Sequence, residues 1–224
     1  MARDAVLGVV FDLDGTLVAN MGIHAEAFTR FVTRHGLPPL DEAARARLDG
    51  KRNRDIFPEL FGRELAEPDL VAYSSEKEAL YRELSRGRLT PLNGLGRLLD
   101  RLDAHGIPAA LATSAPADNV GHTLAELGLA SRLARVARSD EVPRGKPHPD
   151  VFLAAARLIG ADPACCLAFE DSPSGVLAAR AAGMTCVAVL TSFSADLFAA
   201  HGAAPHHAVV DFAAFLAGPG AWLA

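Results

Sequence analysis

The stretch VVFDLDGTLV (residues 9–18) sets two carboxylates, Asp12 and Asp14, one residue apart where an apolar run ends and a glycine follows. Residues i and i+2 of a strand share a face. Both acids are therefore expected to approach one substrate, one as nucleophile and the other as general acid and base. Other polar residues follow apolar runs in the same way: Thr113 and Ser114 after IPAALA, Lys146 in RGKPHPD, and Glu170 and Asp171 after ACCLAF. Carboxylates gathered this closely repel, by about 4 kcal/mol for two unit charges at ~4 Å and an effective dielectric of ~20. A divalent cation removes that repulsion. Oxygen donors without ligand-spaced His or Cys point to Mg²⁺ rather than zinc. Lys146 adds a second positive charge, and the hydroxyls and amides at Thr113 and Ser114 add donors. Together they describe a pocket for a phosphoryl group.

Such a set works only if the chain brings it to one edge. Near-continuous apolar runs at 5–11, 107–112, 134–137, 165–169, 185–190 and 208–210 read as strands buried on both faces. Helical spacing fills 92–104, 117–127, 149–159 and 173–182, and Gly106, Gly128, Gly160 and Gly183 follow as stop signals. This alternation predicts an α/β fold with a doubly wound parallel sheet. Ligands of such sheets bind beyond the carboxyl ends of the strands, which is where the acids, Lys146, Thr113 and Ser114 fall. Residues 20–84 carry no strand pattern, only helical stretches at 24–34, 40–48, 54–60 and 68–84. The expected division is a core of 1–18 and 88–224 with an all-helical domain of 19–87 inserted after the first strand. Both connections lie near the opening acids, so the insert is placed to act as a lid. The tail GPGAWLA is expected to be loose, with Trp222 docking it.

Composition bounds the partners. The 224 residues are 50% hydrophobic, enough for a substantial core, and the formal net charge is -5. That balance gives no general attraction to nucleic acid or anionic membrane. No apolar run approaches the ~20 residues that span a bilayer. Cys165, Cys166 and Cys186 are odd in number and not spaced for metal, so reduced, buried thiols are expected. The opening MARDAVLGVV is too short and too soon charged for a secretory signal. The expectation is a cytoplasmic protein whose partner is a small phosphorylated molecule, not nucleic acid or membrane.

FDLDGTLV, Thr113-Ser114, GKPHPDVF and FEDSPSGVLAARAAGM, in that order, resemble the four motifs of the haloacid dehalogenase superfamily. The helical insert is similar to that family's C1-type cap. The nearest branch is beta-phosphoglucomutase-like and includes many sugar-phosphate phosphatases. The resemblance implies that Asp12 is the nucleophile that becomes an aspartyl-phosphate. Asp14 would be the acid/base and would bind Mg²⁺ through its backbone carbonyl. Asp171 would bind the metal directly, and Glu170 directly or through water. Thr113 or Ser114 with neighbouring amides would hold phosphate oxygens, and Lys146 would neutralise the nucleophile and phosphoryl group. It also implies a central Asp12 strand, between those ending at Thr113 and Phe169. Dehalogenase members lack the second acid of the first motif. Asp14 is present here, so phosphoryl transfer is expected. The phosphonate-cleaving branch needs a cap lysine, and GKRN around Lys51 does not resemble it.

The cap decides whether water or a sugar hydroxyl attacks the phosphoenzyme. His24 and Lys77, the latter with Tyr81 in KEALY, align with cap positions that matter in the mutase. Ala19-Asn20, Gly50-Lys51-Arg52-Asn53 and Ala115-Pro116-Ala117 depart from the mutase pattern. Arg52, with Lys51 and Arg54, still offers positive charge to a remote anionic group. The expected activity is a Mg²⁺-dependent phosphatase for a small phosphorylated metabolite, with sugar phosphates the favoured class. The alternatives are a beta-phosphoglucomutase-type mutase and a catalytically dead phosphate-binding protein. The second would be expected to have lost Asp12 or Asp14.

Overall fold

The apolar runs become six short strands in the computed structural model, which describes residues 6–41, 44, 47, 48 and 50–223. They are β1 (Gly8–Phe11), β2 (Ala109–Thr113), β3 (Val136–Arg138), β4 (Cys166–Glu170), β5 (Thr185–Val189) and β6 (His207–Val209). All pair in parallel, in the order β3-β2-β1-β4-β5-β6. β1 is central, with Phe11 in register with Leu111 on one side and Phe169 on the other. Residue 5 of the expected first strand lies outside the described residues.

Strand alternation sorts the core into two unlike layers. Val9, Phe11, Leu111, Leu167, Phe169, Val187 and Val189 point into a layer of large side chains. There α4 (Leu95–Ala104) and α9 (Phe212–Ala217) supply Leu95, Leu98, Phe212 and Phe215. Phe169 anchors it, stacked on Phe11 at 5.1 Å and edge-on to Phe215 at 4.8 Å. The opposite face carries Val10, Ala110, Ala112, Ala168, Cys186 and Ala188. These small groups let α6 (Asp150–Leu158) and α7 (Pro173–Ala181) approach through Ala155, Ala156, Ala178 and Ala179. α5 (Ala117–Glu126) and α8 (Ala195–Ala200) complete the helices around the sheet.

Among the described residues, 19–87 holds helices and no strand. Between β1 and α4 stand α1 (Met21–Arg34), α2 (Asn53–Phe61) and α3 (Glu67–Ser85). They share a core of their own, with Phe31, Phe57, Leu80 and Tyr81 buried together. Residues 42, 43, 45 and 46 of the helix expected at 40–48 lie outside the described residues.

The tail departs from expectation. Residues Ala221–Leu223 form a short 3-10 turn, and Leu223 is buried, with Trp222 partly buried against the same core. Gly220 donates to the Phe215 carbonyl at 2.8 Å, and a Cβ at Gly220 would strike the Phe215 ring. Leucine rather than tryptophan is thus the deeper anchor, and the tail is packed rather than loose.

Candidate active site

β1 stops at Phe11 because the next residues leave the ladder. Asp12 still donates its backbone N–H to the Phe169 carbonyl at 2.9 Å, and Gly15 then turns at φ 80°. A Cβ at Gly15 would overlap the Asp171 carboxylate, so the turn is both conformationally and sterically glycine's. The strand-alternation argument for Asp12 and Asp14 therefore does not hold as stated, since neither lies within the strand. The two acids have different neighbours. Asp12 faces Lys146, and Asp14 faces the inserted helices, yet both line one cavity.

Behind Asp12 lies a dense ionic centre. Lys146 Nζ donates to Asp12 Oδ1 and to Glu170 Oε1, each at 2.6 Å. The other Glu170 oxygen accepts the backbone N–H groups of Asp171 (2.8 Å) and Ser172 (2.9 Å) and the Ser172 hydroxyl (3.0 Å). Ser172 also caps α7 by accepting from Gly175 N at 3.1 Å. A Cβ at Gly175 would overlap the Glu170 carboxylate. Asp171 accepts a hydrogen bond from the Ser192 hydroxyl. Asp12, Glu170 and Asp171 are all buried and offer oxygens within 4.8 Å of one another.

The charges do not balance. Three buried carboxylates beside one ammonium leave a formal deficit of two positive charges. Burial pushes the Asp12 carboxyl up to about 7, with Lys146 opposing the rise and Glu170 adding to it. Asp171 is raised well above the ordinary carboxylate value by burial, then by the charges of Glu170 and Asp12. Burial works to lower the Lys146 value, but Asp12 and Glu170 outweigh it and hold the ammonium charged. A divalent cation fits this donor set in charge, in oxygen chemistry and in its missing positive charge.

Asp14 sits in a different setting. Asn20 donates to Asp14 Oδ1 at 2.6 Å and to the Tyr81 hydroxyl at 2.6 Å, while its own carbonyl oxygen accepts from Gly15 N at 2.9 Å. His24 Nε2 lies 3.6 Å from the same Asp14 oxygen, and His24 Nδ1 lies 3.0 Å from Lys77 Nζ. His24 thus stands between Lys77 and Asp14, one ring nitrogen toward each. Burial works to raise the Asp14 value, but His24 and the Asn20 amide outweigh it and hold it below the ordinary carboxylate value. Asp14 is thus kept as a base in this arrangement.

Asp12, Asp14, His24, Lys77, Thr113, Ser114 and Asp171 all line the cavity, with Lys146 and Glu170 supporting it from behind. The two hydroxyls are engaged: Thr113 Oγ1 accepts from Ala115 N at 3.0 Å, and Ser114 donates to the Gly50 carbonyl at 2.8 Å. Arg52 is not part of the lining. Its guanidinium, just before α2, clasps Asp55 in the first turn of that helix at 2.7 and 3.0 Å and borders a neighbouring groove. Sequence reasoning passed over Asn20, Asn53, Glu78, Asn119 and Ser192. Ser192 had a legible signal, since Thr191 and Ser192 follow β5 as the other site residues follow their strands.

Fold and site together define an α/β enzyme built around buried acids at the carboxyl edge of a parallel sheet. The family profile of the haloacid dehalogenase-like hydrolases matches residues 6–183. Over 184 residues the chain is 35% identical to Hexitol phosphatase A of Escherichia coli (strain K12), covering 81% of this chain and 82% of the relative. It is 30% identical over 190 residues to Beta-phosphoglucomutase of Bacillus subtilis (strain 168), covering 81% and 82%. A hydrolase from Pseudomonas syringae superposes with a TM-score of 0.83 at 26% identity, covering 96% of this chain and 98% of that one. The chain belongs to the haloacid dehalogenase-like hydrolases, in their beta-phosphoglucomutase-like branch. No described helix is long and apolar enough to cross a membrane.

Proposed function

We propose that this protein is a Mg²⁺-dependent phosphatase that hydrolyses a small phosphorylated metabolite, of the sugar-phosphate class, in a cytoplasmic setting. The observation that carries the reading is the excess of buried carboxylate at Asp12, Glu170 and Asp171 around Lys146, with Asp14 on the same cavity. Asp12 attacks phosphorus, the phosphorus–oxygen bond to the substrate breaks, and an aspartyl-phosphate forms on Asp12. Asp14 passes to the departing oxygen a proton brought in by the monoanionic form of the phosphate ester, whose second pKa is ~6, then takes one from the water that hydrolyses the acyl phosphate. Lys146 holds Asp12 in position and offsets charge on the phosphoryl oxygens. Thr113, Ser114 and the amides beside them receive those oxygens. Asp12, Glu170, Asp171 and the backbone carbonyl of Asp14 would hold Mg²⁺, which, when bound, shields the nucleophile from the anion it attacks. Residues 19–87 act as a cap that excludes water while His24 and Lys77 address Asp14.

A second reading, a beta-phosphoglucomutase-type mutase, is favoured by one contact, the His24–Lys77 pair beside Asp14 at 3.0 Å. One assay separates the two. Phosphate release is followed over a panel of sugar phosphates with Mg²⁺, beside isomer conversion of beta-glucose 1-phosphate primed with its bisphosphate. Release without conversion is expected, and rapid conversion with little release makes the protein a mutase.

A further inference from the structure

The cavity wall carries a further acid. Glu78 of α3 lies there, buried, lining the same cavity as Asp12 and Asp14. Its Oε1 accepts from Lys77 Nζ at 2.9 Å and from Asn53 Nδ2 at 2.8 Å, and its Oε2 accepts from Asn119 Nδ2 at 2.6 Å. Burial works against its charge, but Lys77 and His24 outweigh this and hold the carboxyl below its ordinary value. A carboxylate has about four lone-pair sites; the three donors leave room for one hydroxyl.

The nearby cations have other partners. Arg52 is bound to Asp55 and Arg54 to Glu67. Arg82 donates to Asn119 at 2.7 Å. Lys77 is committed to Glu78 and His24. Lys51 lines the cavity and lies 3.9 Å from Glu59. Apolar lining comes from Met21, Phe28, Leu48 and Ile56. A second phosphate or carboxylate on a substrate would meet a buried carboxylate and hydrocarbon, with Lys77 already tied to Glu78 and His24 and Lys51 the other lysine on the lining.

We propose that Glu78 is a specificity-determining residue that restricts this site to monophosphates with an uncharged, hydroxylated remote end and rejects substrates bearing a second anionic group. The inference rests on the phosphatase reading. It departs from the expectation that Lys51, Arg52 and Arg54 await a remote anion, and it weighs against a mutase, whose bisphosphate must carry two. Asn119 and Asn53 orient the carboxylate, and a substrate hydroxyl takes its remaining acceptor site.

The test compares kcat/KM on matched pairs: glucose 6-phosphate against 6-phosphogluconate, and glycerol 3-phosphate against 3-phosphoglycerate. An aryl phosphate serves as the control for the chemical centre. The wild type should favour the neutral member by ~100-fold or more, since juxtaposed like charges are strongly discriminated. Glu78→Gln should shrink that ratio ~10-fold or more, and Glu78→Asp should keep it. A loss of general stability would lower every rate alike and leave the ratio in place. A wild-type ratio near one overturns the inference, as does a ratio unchanged in Glu78→Gln. Should Glu78→Gln not fold, the wild-type ratio and Glu78→Asp still decide. Hydrolysis of the aryl phosphate alone overturns this inference and leaves the phosphatase reading standing. No hydrolysis of any ester overturns both.

Discussion

Asp12 and Asp14 are two residues apart and have opposite settings. Asp12, pushed up to about 7 by burial, is held by Lys146, whereas Asp14 is held low against Asn20 and His24. Asp12→Asn should bring steady-state phosphate release to background while the far-ultraviolet circular dichroism stays that of the wild type. Residual turnover above a few per cent would reject Asp12 as nucleophile. Asp14→Asn should cost ~10²–10⁴ in kcat with a small change in KM; a rate within threefold of wild type would remove it as acid/base. These acids and Lys146 were legible because charged groups at the ends of apolar runs are conspicuous. Asn20, Asn53 and Asn119 were not, since an amide announces nothing until its neighbours are known. Glu78 was hidden by sitting beside Lys77 on a stretch that reads as a solvated helix face.

At the scale of elements, α3 meets α5 along a polar seam. Asn119, His122 and Thr123 occupy one face of α5 at i, i+3 and i+4. They meet Glu78 and Arg82, Ser85, and Tyr81 respectively, at 2.6 and 2.7, 2.8, and 3.3 Å. Replacing Glu78 by Gln weakens this seam by about 1–3 kcal/mol. The folded value of Glu78 lies below its ordinary 4.5. Its contribution is therefore complete above that pH and is lost as pH falls through the folded value. Melts of wild type and Glu78→Gln in EDTA should differ more at pH 7 than at pH 3.5. An equal difference at both would mean that Glu78 is not charged in the seam. The long elements were readable from period alone, and the family resemblance placed β1 between β2 and β4. Helices α8 and α9 have six residues each, too short to show a period, and escaped notice. Packing of the tail depends on Leu223 meeting a distant layer, which no local pattern encodes.

For the molecule as a whole, a metal held at the ionic centre would be coupled to folding. A ligand at ~100 times its Kd stabilises the folded state by about 2.7 kcal/mol. For a chain of this size that is a rise in Tm of roughly 5–11 °C. Mg²⁺ should produce such a rise, EDTA should silence turnover, and Asp171→Asn should lose most of the shift; a Tm indifferent to Mg²⁺ would count against the metal site. The cavity holds only about 70 Å³, against ~300–1,000 Å³ for sites that enclose a small-molecule ligand. A substrate of the proposed class would need more room than this arrangement offers.

The alanine-rich face of the sheet sets how this catalyst can diversify. Ala110, Ala112, Ala168 and Ala188 are fully buried in one layer with Ala155, Ala156, Ala178 and Ala179, and overfilling a packed layer costs about 1–3 kcal/mol per insertion. In a saturation library, that layer should accept almost nothing bulkier, whereas the Leu- and Phe-lined layer should absorb trades among hydrocarbons. New substrate preferences must therefore be explored elsewhere in the chain, over a foundation that sterics hold still.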